Sequence, residues 1–467
     1  MSLSDHPRAY GTAAVAAAFA AGIVLTLGFK DLYPDLERRY QARRRRPPRG
    51  VSSWADLRRR SSLFWGPVQL EDHESDPGDD ASPYIPQTTP GITPGLVRGI
   101  EGAIGNTPLI EIQSLSQATG RTILAKAELL NAAGNSPKDR VALNMIREAE
   151  AAGFLVPHRG DTIYEGTVGS TGISLAALAR AKGYRAHICM PDDQSMEKSD
   201  LLHHLGAVVE RVPVAPITSP DHFVNLARRR AAEHTASQKD SSVGFFADQF
   251  ESPANFAAHF KTTGPEILVQ TSGNIDAFVA GAGTGGTISG VAKYLKESAK
   301  LTKLKVVLAD PQGSGLYNKI RYGVMYSNTE KEGTRRRTQV DSIVEGVGVN
   351  RVTHNFESGR DLIDDAVKVT DKQACAMARW LVENDGIFVG SSSSVNCVAA
   401  VSTALSLPEG SRVVTVLCDS GTRHLSKFWK KVAEMGLEDQ TEEKAQGGSD
   451  NTPSKEDLTR LLGIKPL

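Results

Sequence analysis

Between about residues 100 and 430, short runs of Val, Ile, Leu and Ala alternate with longer segments whose apolar residues recur at helical spacing. The runs Arg185–Met190, Ile275–Ala280, Lys305–Ala309 and Arg412–Cys418 read as buried strands. Val141–Glu150, Ile173–Arg180 and Ile288–Leu295 read as helices between them. Such alternation predicts an α/β fold of parallel sheets covered by helices on both faces. Two doubly wound subdomains of this kind, with a cleft between them, would bring the loops at their strand ends together. Within this body the charged stretch Tyr322–Gln339, which includes Arg335–Arg337, predicts a surface insertion.

Outside the body the pattern changes. Ala9–Phe29 contains no charged residue, and as a helix it would span about 30 Å. Arg38, Arg39, Arg43–Arg46, Arg49 and Arg58–Arg60 follow, so an anchored segment would leave the body on the cytosolic side. A cleaved secretory signal is disfavoured by that basic flank, and a mitochondrial import sequence fits the long apolar stretch loosely. Next comes a tether that turns acidic at Glu71–Asp80 and then Pro/Thr-rich, too poor in apolar residues to fold alone. The division expected is a membrane segment at 1–30, a disordered tether at 31–93, a globular body at 94–430 and a polar tail at 431–467. Leu458–Leu467 is expected to add one docked helical turn to the body.

Composition narrows the function. A chain of 467 residues with 40% hydrophobic content can bury a large core, and a formal net charge of zero argues against a nucleic-acid partner. Cys189, Cys375, Cys397 and Cys418 are scattered in apolar runs without C-x-x-C spacing. They read as buried thiols of a reducing compartment, and no metal site is expected.

The chemistry is concentrated in a few loops. Lys138 ends Asn131-Ala-Ala-Gly-Asn-Ser-Pro-Lys and opens a helical run, where the helix dipole disfavours its ammonium form. Gly281-Ala-Gly-Thr-Gly-Gly-Thr287 precedes a helix. Its glycines let backbone N–H groups converge on a dianion, and Thr284 and Thr287 add hydroxyls. The same glycines satisfy a dinucleotide-binding spacing, with Asp310 as the ribose acid, so this loop alone leaves both readings open. Thr167-Val-Gly-Ser-Thr-Gly172 is a second helix-opening turn, suited to a carboxylate. With Gly390-Ser-Ser-Ser-Ser394 the chain holds an imine-forming lysine, a phosphate nest and a hydroxyl cluster, the three parts a pyridoxal phosphate site requires.

At these residues, and from about Ile100 to Trp429, the chain resembles the cysteine synthase and cystathionine β-synthase family of fold type II pyridoxal phosphate enzymes. The resemblance implies that 94–430 is the catalytic domain and that Lys138 carries the cofactor and moves the proton. Gly283, Thr284, Gly285, Gly286 and Thr287 would hold the phosphate, with Ser170 at the phenolic oxygen and Ser392 at the pyridine nitrogen. Thr167, Val168, Gly169, Thr171 and Gln249 would bind the substrate carboxylate. Two departures stand out. Ser170 and Val168 replace the family's usual Asn and Ser, and seven steps separate Asn131 from Lys138 where the family has six. Asp310–Tyr317, Val344–Asn350 and Asp419–Leu425 look like further landmarks of the cleft, and serve equally well as plain connecting turns. The implied activity is synthesis of L-cysteine from O-acetylserine and sulfide by a homodimer. Fungal members with such N-termini are associated with mitochondria, which implies the outer membrane with the body facing the cytosol. Cystathionine β-synthase or serine/threonine dehydratase chemistry, or a non-catalytic protein of the same fold, are the alternatives.

Overall fold

The computed structural model describes residues 96–194, 196–237, 241–327, 330–331, 342–435 and 454–463. The expected anchor and tether, Arg335–Arg337 and residues 436–453 lie outside them. Among the described residues no helix is long and apolar enough to cross a membrane.

Two sheets organise the body. One has six strands: β1 (Leu109–Glu111), β2 (Thr122–Ala127), β7 (Ala277–Gly281), β8 (Lys305–Pro311), β11 (Asp365–Val369) and β12 (Arg412–Leu417), in the order β1-β2-β12-β7-β8-β11. Only β1 runs antiparallel to its neighbour. The other has β3 (Thr162–Gly166), β4 (Arg185–Pro191), β5 (Val208–Val212) and β6 (Gly244–Phe246), all parallel, in the order β5-β4-β3-β6. Between β8 and β11 in sequence, β9 (Tyr326–Ser327) and β10 (Glu330–Lys331) pair as a small antiparallel hairpin inside the expected insertion.

All five residues of β3 are buried, as are five of the six in β12. A strand covered on both faces has no polar side to display, which is why these segments read as unbroken apolar runs. Around the six-stranded sheet, one core joins Ala277, Val279 and Val413 to the helix Asp371–Asp385, and another joins Phe278, Val306 and Leu308 to Ile288 and Val291. A separate core of Ile163, Ile188, Leu175 and Ile146 serves the four-stranded sheet.

Four helices matter for the site: α1 (Lys138–Ala151), α2 (Ser170–Lys182), α3 (Gly286–Lys293) and α4 (Ser391–Leu405). The tail helix spans Lys455–Leu462, two turns where one was expected. It buries Leu458 and Leu462, and Gln373 donates to its Leu462 carbonyl.

Candidate active site

Loops at the carboxyl ends of parallel strands line one cavity. Ser136, Pro137 and Lys138 come from the turn into α1, Thr167, Val168, Ser170 and Thr171 from the turn after β3, and Gly281, Gly283, Thr284, Gly285 and Thr287 from the turn after β7. Gln249, Ser392, Asn396, Cys418, Asp419 and the stretch Gly346–Val349 complete it. Of the residues expected from sequence, Gly286 and Gly169 do not line this cavity. Gly286 is buried behind it, and Gly169 faces an adjoining chamber lined also by Lys198, Glu345, Arg423 and His424.

Lys138 is the first residue of α1, and the loop before it is held by its own neighbours. The Asp139 carboxylate accepts from the Ala133 and Gly134 amides at 3.1 and 2.7 Å, and Asn131 Nδ2 donates to the Ser136 carbonyl at 3.2 Å. Asn135 sits in the left-handed region at φ 46°, and its Nδ2 donates to the Asn131 carbonyl at 2.7 Å across the loop. Behind it Arg140 bridges Glu128 and Glu266, with contacts of 2.6 to 2.8 Å, and Glu266 also pairs with the fully buried Lys126 at 2.6 Å. These cations, against the cost of burial, hold the Glu266 carboxyl down to about 2. Lys138 itself has no ion pair among the described residues. Burial lowers its ammonium pKa, opposed by Cys418, Asp419 and Glu128.

The turn after β7 is pressed from behind. A Cβ on Gly283 would lie 2.4 Å from the Gly346 carbonyl oxygen, one on Gly285 2.5 Å from Phe356 Cα, and one on Gly286 2.0 Å from Asn255 Oδ1. Gly285 also sits at φ 87°. Only glycines fit, and the backbone they form caps α3 with its amides unobstructed by side chains. Thr284 Oγ1 accepts from Asn255 Nδ2 at 2.8 Å, and Thr287 Oγ1 lies 3.1 Å from His259 Nε2.

On the opposite side, Thr171 Oγ1 donates to Gln249 Oε1 at 2.5 Å, and Gln249 Nε2 reaches the Gly166 carbonyl at 3.3 Å. Below them Glu165 is fully buried, accepts from the Gln249 amide at 3.3 Å, and leaves Oε1 without a partner. Burial, with Asp248 nearby, pushes its carboxyl well above the usual range.

The four serines of Ser391–Ser394 separate cleanly. Ser391 Oγ accepts from the Glu345 amide, Ser393 Oγ accepts from the Cys418 amide, and Ser394 donates to the Gly390 carbonyl. Ser392 alone of the four lines the cavity, near the Cys418 thiol. Burial raises that thiol to about 11. Asp419 beside it receives His424 Nε2 at 3.0 Å on Oδ2, while its buried Oδ1 has no partner. Asp310, the candidate ribose acid, is buried near the end of β8, accepting from the Tyr317 amide at 2.8 Å and pairing with Lys368 of β11. It does not line the cavity, which removes the basis of the dinucleotide reading.

A family of pyridoxal-phosphate dependent enzymes matches residues 100–419. The chain belongs to that family. Within it, the chain is 68% identical to cysteine synthase 2 of Neurospora crassa, over the whole of both chains. It is 57% identical to a putative mitochondrial cysteine synthase of Saccharomyces cerevisiae, over 72% of this chain and 85% of the relative. These place it in the cysteine synthase and cystathionine β-synthase group. Among solved structures, O-ureido-L-serine synthase superposes with a TM-score of 0.61 at 32% identity, covering 72% of this chain and 95% of that one. The fold is therefore type II, and the protein is pyridoxal phosphate dependent. Its cavity fits the cofactor: a glycine cradle closed from behind and a lysine without an ion pair among the described residues face one space.

The sequence did not single out Asn255, His259, Glu165, Asn396 or Asp139. Cys418 reads from the sequence only as a buried thiol. Its place at the end of an apolar strand, next to Asp419, was the available signal.

Proposed function

We propose that the protein is a cysteine synthase that forms L-cysteine and acetate from O-acetylserine and sulfide. The observation that carries this reading is the meeting of Lys138, the Gly283–Thr287 turn and the Thr167–Thr171 turn on one cavity. Bound pyridoxal phosphate supplies the electron sink that labilises the α-proton and the β-substituent. Gly283, Thr284, Gly285, Gly286 and Thr287 hold its phosphate, Ser170 meets its phenolic oxygen and Ser392 its ring nitrogen. Thr167, Val168, Gly169, Thr171 and Gln249 grip the amino acid's carboxylate. Lys138, whose ammonium form burial disfavours, removes the α-proton as the β-carbon–oxygen bond breaks and acetate departs with the electron pair. Sulfide then adds at the β-carbon, and Lys138 Nζ returns a proton to the α-carbon.

Borohydride reduction of the holoenzyme followed by peptide mapping should label Lys138, and Lys138→Ala should lose the covalent attachment while keeping its fold. A label on another lysine overturns the assignment. A cofactor absorbance band unmoved by O-acetylserine would point to a non-catalytic relative, and turnover of serine with homocysteine in place of sulfide to cystathionine β-synthase chemistry.

The proposal extends to the rest of the chain: a homodimer with an anchor at 1–30, a tether at 31–93, the catalytic domain at 94–430 and a tail at 431–467. The favoured membrane is the mitochondrial outer membrane, with the body in the cytosol. The uncharged stretch Ala9–Phe29 and the arginines after it support the anchor, and the name of the S. cerevisiae relative supports the mitochondrion alone. Deleting residues 1–30 should release a soluble protein with unchanged chemistry. Extraction of the full-length chain by carbonate would make the segment a targeting sequence instead.

A further inference from the structure

Both threonine hydroxyls of the Gly283–Thr287 turn are met from behind by buried side chains of one segment, the helix Pro253–Ala258 and the π-helical turn His259–Thr263 that continues it. Single π-turns are uncommon and frequent at functional sites. This one packs tightly on α3: a Cβ on Gly290 would lie 2.9 Å from His259 Cβ and 2.6 Å from the Phe256 carbonyl. That approach is what lets His259 reach Thr287.

The proton assignment at Thr284 is fixed by connectivity. Asn255 Nδ2 donates to the Gln249 carbonyl as well as to Thr284 Oγ1, both at 2.8 Å. A carbonyl can only accept, so the amide atom shared by the two contacts is the nitrogen, and Thr284 Oγ1 is an acceptor from behind. Its own proton is left to point forward. At Thr287 the same question turns on the tautomer of His259. The imidazole is fully buried, with Nε2 at 3.1 Å from Thr287 Oγ1 and Nδ1 at 2.9 Å from Thr263 Oγ1. Burial drives its pKa to about 3, with Arg140 and Lys138 adding to that and Glu128 opposing, so the ring is neutral and carries one proton. If that proton is on Nδ1, the Thr287 hydroxyl spends its own proton on Nε2 and offers the cavity only lone pairs. If it is on Nε2, Thr287 accepts from the ring and its proton is free.

We infer that His259 is a positioning residue held as the Nε2–H tautomer: it accepts from Thr263 at Nδ1 and donates to Thr287, so that the Thr287 hydroxyl, like that of Thr284, is turned to donate to the cofactor's phosphate. A dianion at the turn needs donors on every side, and two hydroxyls pinned through their oxygens supply them with no reorientation on binding. This rests on the phosphate being held by the Gly283–Thr287 turn.

The tautomer is read directly in the holoenzyme by ¹⁵N NMR of labelled histidine, with His259 assigned by its loss in His259→Gln among the 11 histidines. A protonated Nε2 is expected, and a protonated Nδ1 overturns the inference. Independently, His259→Leu should move the ³¹P resonance of the bound cofactor and raise its dissociation constant about tenfold, the scale of one hydrogen bond to a charged group. His259→Gln, which can still donate, should stay within about twofold of wild type. Thr287→Val should shift the same resonance and should add nothing in the His259→Leu background. A shift with Thr287→Val but none with His259→Leu sinks the role of His259 alone. No shift with Thr287→Val removes the phosphate assignment and this inference with it. Should His259→Leu not fold, the tautomer measurement decides.

Discussion

The two glycine-rich turns, after β3 and after β7, are built to the same plan and surrounded differently. Each leaves a buried parallel strand, passes through glycine and threonine and opens a helix. Behind the turn after β7 stand neutral groups, Asn255 and His259, and its glycines press against Gly346, Phe356 and Asn255 at distances that admit no side chain. The turn after β3 is bordered by ionisable groups: Glu165 beneath it, Lys198 with its methylene and ammonium atoms 3.6 to 3.8 Å from where a Gly169 Cβ would be, and the Lys198–Glu345–Lys427 chain beyond. Glu345 is held down to about 2, chiefly by Lys198 and Lys427 against the cost of burial. One turn is a fixed socket. The other borders an adjoining chamber and long charged side chains, so its electrostatics are open to tuning.

The largest expected effect is at the socket. Gly285→Ala asks a β-carbon to sit 2.5 Å from Phe356 at a φ of 87°. Strain and overlap together should cost at least about 3 kcal/mol, roughly a hundredfold in cofactor retention. Equilibrium dialysis measures it. A loss below about tenfold would mean that the socket is no more rigid than its counterpart.

A smaller effect is expected at the turn after β3. Ser170→Asn lengthens a half-buried side chain at the start of α2, whose neighbours include the adjoining chamber as well as the cavity. There is room to one side, so the change should alter kcat/KM for O-acetylserine by about tenfold while cofactor retention stays within about twofold. Equal loss of cofactor in this variant and in Gly285→Ala would erase the distinction between the turns.

Much of this division was legible in the sequence. Strands buried on both faces leave apolar runs that cannot be mistaken for amphipathic surface, and the runs at Lys305 and Arg412 begin β8 and β12. Glycines and hydroxyls opening a helix announce a turn that presents amides. What stayed hidden is the second row. Glu165 meets Gln249 from 84 residues away, Asn255 meets Thr284 across 29, and Arg140 meets Glu266 across 126. A buried Glu, Asn or His carries no periodic mark, because its role depends on which distant backbone the fold sets against it.

The smallest prediction separates the turns by the sign of their pH dependence. Glu165 has a folded pKa raised above its unfolded value, so the stability it confers is present below about pH 4.5 and is lost as pH rises through the folded value. His259 has a folded pKa depressed to about 3, so its contribution is present above about pH 6.5 and is lost as pH falls towards 3. Gln substitutes for both in a neutral, hydrogen-bonding form. Relative to wild type, Glu165→Gln should therefore gain stability between pH 5 and pH 8, and His259→Gln should gain it in the opposite direction, from pH 8 to pH 5. Each difference should be about 1 kcal/mol, since relaxation of the surroundings and water entry blunt the full cost of a buried charge. Denaturant midpoints of the apoenzyme at the two pH values, with the m-value checked for constancy, measure both. Slopes of the same sign would mean that the two turns do not differ in the ionisable groups behind them, and that the contrast between socket and tunable edge lies in packing alone.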